Sequence, residues 1–299
     1  MVDKPGGMTS HDVVSRVRRM AGTRRVGHGG TLDPMATGVL VVGVERATRL
    51  LTYVVGTEKG YAATIRLGQS TVTDDAEGEV TATVAATSVT ESAVRDALLA
   101  FVGEVDQVPS AVSAIKVGGV RSYTRVRQGE EVALAARRIT ISRLDVLAVR
   151  SVDGGAVVDV DVDLTCSSGT YVRAIARDLG AALGVGGHLT ALRRTFVGGF
   201  TLDEAAPLDT LAAAAEEGVS PVTLSLAAAC DRMLPRRDVD EEQARALGHG
   251  APLPVAGLGG PYAVFDPAGT VIAIVSERDG KARAEVVLAP AGLPAEPAR

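Results

Sequence analysis

The chain has 299 residues, 46% of them hydrophobic, which suits one large domain plus a small one around a substantial core. Two well-separated cysteines, Cys166 and Cys230, argue against a disulfide framework and fit a reducing cytoplasm; no apolar run reaches the roughly 18 residues of a membrane span, and the start lacks a signal-peptide core. The net charge of −5 speaks against nucleic acid, yet residues 1–200 carry 23 basic and 21 acidic side chains, residues 201–299 carry 8 and 15, and residues 116–150 carry 8 and 3, so a local basic patch stays compatible with RNA phosphate, and equally with a solvated surface.

In chain order, residues 3–9 read as a loop, with Lys4 before Pro5. Ser10 is a good N-cap for a helix over about 11–21, with Val13, Val14, Val17 and Met20 on one face. Arg16, Arg18 and Arg19, with Arg24 and Arg25, make a basic cluster that suits either a solubilising face or phosphate contact.

Residues 24–44, RRVGHGGTLDPMATGVLVVGV, hold a single acid, Asp33, in a Gly- and Thr-rich loop. Pro34 disfavours helical geometry at Asp33 and fixes the next φ. Val39–Val44 reads as a short buried strand. An acid on a stiff loop beside a core strand suits action on a bound substrate; a plain Asp-Pro turn is the competing reading. A phosphate-binding P-loop does not fit, because no Gly-Lys-Ser/Thr follows the glycines.

Beyond it, residues 45–52 suit a short helix; within the stretch 59–68, which begins Lys59-Gly60-Tyr61, Tyr61, Ala63, Ile65 and Leu67 alternate with Ala62, Thr64 and Arg66 and read as a strand. Residues 70–80 form a polar turn whose Asp74, Asp75 and Glu77 lack calcium-loop spacing. Thr90 caps a helix over about 91–102 with Val94, Ala97, Leu98 and Phe101 inward. Residues 108–141 mix glycine turns with Lys116, Arg121, Arg125, Arg127, Arg137, Arg138 and Tyr123, which suits RNA contact or a basic helix face. Residues 157–165 alternate strictly, and Asp159, Asp161 and Asp163 form an exposed strand face. A helix over about 170–183 is capped by Thr170, with Tyr171 and Arg173 in its first turn; residues 188–196 read as a strand carrying Arg193 and Arg194. An Ala-rich helical stretch over 201–228 precedes short β-like runs at Tyr262–Phe265, Val271–Val275 and Ala284–Leu288. These divide the chain into 1–228, a small β domain over 229–290 and a disordered tail, 291–299.

The string from Gly27 through His28, Asp33 and Pro34 to Thr37 and Gly38 resembles the catalytic loop of the TruB family of tRNA pseudouridine synthases. Asp3-Lys4-Pro5-Gly6-Gly7, Lys59-Gly60-Tyr61, Ser113-Ala114-Ile115-Lys116 with Tyr123 and Arg127-Gln128-Gly129, Gly169-Thr170-Tyr171-Val172-Arg173, and Leu192-Arg193-Arg194-Thr195 resemble further family motifs in the same order. The resemblance implies an α+β catalytic domain on a mixed, largely antiparallel sheet, with an RNA-binding thumb insertion at 108–141. It also implies a small C-terminal PUA-like domain. Two features depart from the family pattern: only Met1 and Val2 precede the first motif, and the C-terminal part is acidic.

The implied reaction converts uridine 55 in the T arm of tRNA to pseudouridine without cofactor or metal, in a monomer with no protein partner. Asp33 is the implied catalytic carboxylate, as nucleophile toward ribose or base or as a base on a ribose proton. Arg173 is its implied ion-pair partner, and Tyr61 stacks on the uracil and helps remove the C5 proton. Tyr171 and Leu192 line the pocket, and His28 fills the space left by the flipped base, where residues alone suggest a core histidine. Lys4 holds the first loop, and Lys116, Arg127 and Arg193 contact RNA. The alternatives are an RNA-binding or tRNA-folding factor that does not depend on catalysis, and a synthase of this family guided to another RNA.

Overall fold

A computed structural model describes residues 1–112, 116–117, 120–121 and 134–290. Tyr123 and Arg127, most of the expected thumb, and the tail 291–299 lie outside the described residues, as does the side chain of Lys116.

The chain opens with β1 (Val2–Lys4), so the two residues ahead of the first motif suffice to begin a strand. Helix α1 (Ser10–Met20) follows, with Val13, Val14 and Val17 buried. Its N-cap is Thr9 rather than Ser10. Thr9 Oγ1 accepts from the Asp12 amide at 3.1 Å, and Asp12 Oδ2 accepts from the Thr9 amide at 2.9 Å. This reciprocal pair satisfies two donors that a helix start leaves open. It frees the Ser10 hydroxyl for the neighbouring loop.

Next come β2 (Val26–His28), β3 (Thr37–Leu40) and β4 (Val42–Val44). The run expected as one strand is therefore two. Before Val41 it pairs with β1, and after it with β2. A 3-10 turn, Glu45–Leu50, leads into α2 (Leu51–Val55), where a single helix was expected.

The long strand β5 (Lys59–Leu67) is followed by a small hairpin, β6 (Gln69–Thr71) and β7 (Val80–Thr83), with the acidic turn between them. Helix α3 (Glu91–Leu99) is capped by Thr90 and ends earlier than its apolar spacing suggests. Then come β8 (Gly103–Gln107), the pair β9 (Lys116–Val117) and β10 (Val120–Arg121), β11 (Arg137–Val152) and β12 (Val157–Cys166). Residues 137–141, assigned from sequence to the insertion, pair with β8 in the main sheet.

Helix α4 (Val172–Ala182) has Tyr171, not Thr170, as its N-cap, and no side chain caps it. The Thr170 hydroxyl donates instead to the Ser167 carbonyl at 3.0 Å. Strand β13 (Gly187–Val197) is followed by β14 (Phe200–Thr201), β15 (Ala206–Pro207), α5 (Leu208–Glu216) and α6 (Leu226–Met233).

Among the described residues, nine strands build one sheet in the order β15-β1-β3-β13-β5-β12-β11-β8, with β14 on β13. Only β1–β15 and β3–β13 are parallel. Sheet and helices share a core that includes Tyr61, Ile65, Val160, Leu164, Ile175, Leu179 and Leu192. The acids of β12 are not a bare face. Arg66 grips Asp159 through Nε and Nη2, both at 2.8 Å, and Arg150 and Arg143 pair with Asp161 and Asp163.

The C-terminal part is a four-stranded sheet of β16 (Arg236–Asp238), β17 (Tyr262–Phe265), β18 (Val271–Arg278) and β19 (Lys281–Val287), with α7 (Glu241–Gly248) packed on it. It meets α2, where the Tyr53 hydroxyl donates to Glu285 at 2.8 Å and Leu50 packs with Phe265 and Ile274. Among the described residues no helix is long and apolar enough to cross a membrane.

Candidate active site

Asp33 lies on the loop between β2 and β3, and three neighbours fix that loop. The buried Ser10 hydroxyl donates to the Leu32 carbonyl at 3.1 Å and accepts from the Leu32 amide at 2.8 Å. Lys4 is fully buried, and its ammonium donates to the carbonyls of Pro5, Met8 and Pro34 at 2.9, 2.6 and 3.1 Å. Burial pushes its pKa down, partly offset by Glu77 and Asp33. Lys4 therefore braces the loop beside Asp33 and offers no charge to an RNA phosphate.

Arg194 is the third brace. It is fully buried and donates from Nε to the Val39 carbonyl at 2.7 Å, and from Nη1 and Nη2 to the carbonyls of Thr31 and Gly30 at 3.3 and 3.2 Å. Gly38 explains why the motif ends in glycine. Its φ is +99°, and a Cβ there would lie 2.2 Å from the Arg194 carbonyl oxygen.

Arg173 reaches Asp33 from the first turn of α4. Its Nε stands 3.0 Å from Asp33 Oδ2, while its Nη1 lies 3.3 Å from Asp75 Oδ2 and donates to the Thr73 carbonyl at 2.9 Å. The arginine side chain is 6% exposed, that of Asp75 3%, and that of Asp33 34%. A buried guanidinium is thus shared between a sealed carboxylate and one that opens to solvent. Asp75 was legible only as part of a polar turn, and here it secures the partner of Asp33. Its own Oδ1 accepts from Thr73 Oγ1 at 2.5 Å and from the Glu77 amide at 3.0 Å. With Asp75 on Arg173 and Asp74 near Arg177, these acids are committed to arginines rather than to a cation.

Tyr61 sits on β5 opposite Arg194 of β13. Directly paired strand residues share a face, which sets the Arg194 guanidinium beside the Tyr61 ring. Burial raises the Tyr61 pKa, so it stays a phenol near neutrality. Leu192 shares its core cluster with Tyr61 and Leu32. The neighbouring Gly60 is required by packing, since a Cβ there would lie 2.1 Å from the Phe196 ring.

Tyr171 is held through its backbone. Gln107 at the end of β8 accepts from the Tyr171 amide at 2.8 Å and donates to its carbonyl at 3.1 Å. This buried side-chain amide clamps the backbone of the residue that starts the helix, and sequence reasoning missed it. His28 stacks edge-on against His11 with ring centroids 5.4 Å apart; burial, reinforced by His11, lowers its pKa. Arg193, expected at RNA, donates to Asp3 Oδ2 at 2.7 Å and to the Thr37 hydroxyl at 3.1 Å. A cavity of about 600 Å³ lies elsewhere, lined by Val44, Leu50, Val54, Phe200, Leu226 and Val271, and contains none of these groups.

Asp33, Arg173, Tyr61, Tyr171, Leu192 and His28 are thus all placed by elements bordering one loop. An open carboxylate paired with a buried arginine, beside a phenol and apolar walls, suits attack or proton abstraction on a flat, neutral base and its ribose.

Comparison with known proteins places the chain in a family. Residues 18–172 match the TruB family pseudouridylate synthase N-terminal domain. Residues 173–228 match the tRNA pseudouridylate synthase B C-terminal domain, and 234–289 the tRNA pseudouridine synthase II C-terminal domain. The chain is 57% identical to the tRNA pseudouridine synthase B of Arthrobacter sp. (strain FB24) over 299 residues, covering 97% of this chain and 96% of that one. It is 57% identical to the protein of the same name from Mycobacterium sp. (strain KMS) over 293 residues, covering 98% and 96%. Among solved structures it superposes on the crystal structure of a Cbf5-Nop10-Gar1 complex with a TM-score of 0.71 at 26% identity, covering 97% of this chain and 84% of that one. Since the first domain match alone spans more than half of its residues and these relatives align along nearly its whole length, the chain belongs to the TruB family of pseudouridine synthases.

Proposed function

We propose that the chain converts uridine 55 in the T arm of tRNA to pseudouridine. The name shared by relatives 57% identical over almost the full length supports tRNA as the substrate. The observation that carries the chemistry is the Asp33–Arg173 pair at 3.0 Å, with Asp33 the more open partner.

The bond from ribose C1′ to uracil N1 breaks, the uracil turns over, C5 bonds to C1′, the C5 proton leaves, and N1 takes up a proton. Asp33 acts either as a nucleophile on ribose or base, or by removing a ribose proton; in each route the carboxylate must be aimed at its target, and the ion pair with Arg173 holds it in place. The target base is flipped out of its stack at a cost of a few kcal/mol. Tyr61 stacks on it, Tyr171 and Leu192 line its pocket, and His28 supports the vacated space. Tyr61 begins as a phenol, so it takes up a C5 proton only after handing its own to another group. Lys116 and Arg127 contact RNA phosphate. The catalytic part spans 1–228 and the PUA-like part 229–290, with α6 crossing the join, and the enzyme works as a cytoplasmic monomer. A guide-directed synthase is disfavoured, because relatives named for tRNA are 57% identical against 26% for the Cbf5 complex.

The test uses unmodified tRNA transcript carrying tritium at uracil C5. Release from wild type, mapped to position 55 and lost in Asp33→Asn, supports the assignment. Tight tRNA binding without release would instead establish a binding or folding factor.

A further inference from the structure

The face of α4 that delivers Arg173 carries a second arginine one turn on, at the i,i+4 spacing that stacks side chains along a helix. Arg177 Nη1 stands 3.6 Å from Asp74 Oδ2 and 3.5 Å from the Pro109 carbonyl oxygen. Its Nη2 donates to the Val108 carbonyl at 2.8 Å, and its Nε to Asp178 at 2.8 Å. Two arginines of one helix thus take two consecutive acids of one turn, Arg173 on Asp75 and Arg177 on Asp74.

Asp74 is itself tied into the fold. Its φ is +59°, in the left-handed region that aspartate enters more readily than most residues. The Asp74 carbonyl accepts from the Leu189 amide at 3.0 Å, which ties the turn to β13. Only 15% of its side chain is exposed. Arg177 therefore joins two pieces of chain: the turn that holds Arg173, and the exit of β8 immediately after Gln107, which holds Tyr171.

We propose that Arg177 and Asp74 form a positioning pair for pseudouridine formation, locking the 73–75 turn to the exit of β8 so that Arg173 stays aligned on Asp33. The pair touches no reacting atom. It rests on the function proposed above, and it adds a device that couples the catalytic carboxylate to the root of segment 108–141.

The test measures single-turnover tritium release, tRNA affinity and the thermal midpoint for wild type, Arg177→Met, Asp74→Asn, the double variant and Arg177→Lys. A misplacement of about 1 Å can cost as much as 10²-fold in rate, so each single variant is expected to slow release by about tenfold. Affinity stays unchanged, the double variant is no slower than the singles, and lysine recovers part of the rate. Asp74→Asn is isosteric and carries the test if Arg177→Met does not fold. Unchanged rates in folded variants, even with a lowered midpoint, would make the pair merely structural and overturn the proposal. Weaker tRNA binding at an unchanged rate would make Arg177 a phosphate contact and overturn it too. No release by wild type would overturn the proposed function together with this inference, whereas release by wild type matched by the variants overturns this inference alone.

Discussion

Arg173 Nη1 lies 3.3 Å from Asp75 Oδ2, and that carboxylate is almost wholly sealed from solvent. The guanidinium thus has a permanent buried partner besides the reactive one. When Asp33 engages substrate, Arg173 is not left as an unpaired buried charge.

Replacing Asp33 with asparagine keeps the shape of the loop and removes the carboxylate. Tritium release should fall by at least about 10³-fold, the scale of a lost acid–base or nucleophilic group. Binding of tRNA, measured by filter retention, should be unchanged.

Asp75→Asn and Arg173→Met separate positioning from pairing. Removing one member of a buried ion pair costs about 3–5 kcal/mol, because its partner stays buried and uncompensated. Asp75→Asn should lower both the denaturation midpoint and the turnover, although Asp75 is closed to substrate. Arg173→Met should abolish turnover and leave the buried Asp75 carboxylate without its arginine, lowering the denaturation midpoint as well.

Gln107→Leu removes both hydrogen bonds to the Tyr171 backbone. A buried amide left without a partner costs about 1–3 kcal/mol. The variant should lose stability of that order in urea, and turnover should fall as Tyr171 loosens at the pocket wall. Tyr171→Phe, which keeps the backbone contacts, should retain that stability.

The histidine pair sets a pH dependence. Burial, reinforced by His11, lowers the folded-state pKa of His28 below the ordinary 6.5. As pH falls through 6.5 the unfolded chain takes up a proton that the folded chain does not, so stability drops on the acid side. The loss stops once pH passes below the lowered folded value. His28→Phe should remove this component, and the thermal midpoints of variant and wild type should draw apart between pH 7.5 and pH 5.

The main strands were readable because alternation is a local property. Tyr61, Ala63, Ile65 and Leu67 face one core, and the observed strand, Lys59–Leu67, contains that alternating run. The catalytic loop was readable because its chemistry is contiguous in the chain, from Gly27 to Gly38. Arg193 and Arg194 mark where that ends. Consecutive strand residues point to opposite faces, so one of the two had to turn inward, but two adjacent arginines carry no local sign of which. Pairing of β13 with Gly38 on one side and Tyr61 on the other sets that phase, sending Arg194 inward to the catalytic loop and Arg193 out to Asp3. Ser10 and Thr9 pose the same ambiguity at a helix start, resolved by which hydroxyl the Leu32 backbone can reach. Asp75 and Gln107 lie 98 and 64 residues from the side chain or backbone they hold, Arg173 and Tyr171. Nothing near either in the chain marks it as part of a site; folding brings the hairpin turn and the end of β8 against the first turn of α4, and that proximity makes one a counter-charge and the other a clamp on the Tyr171 backbone.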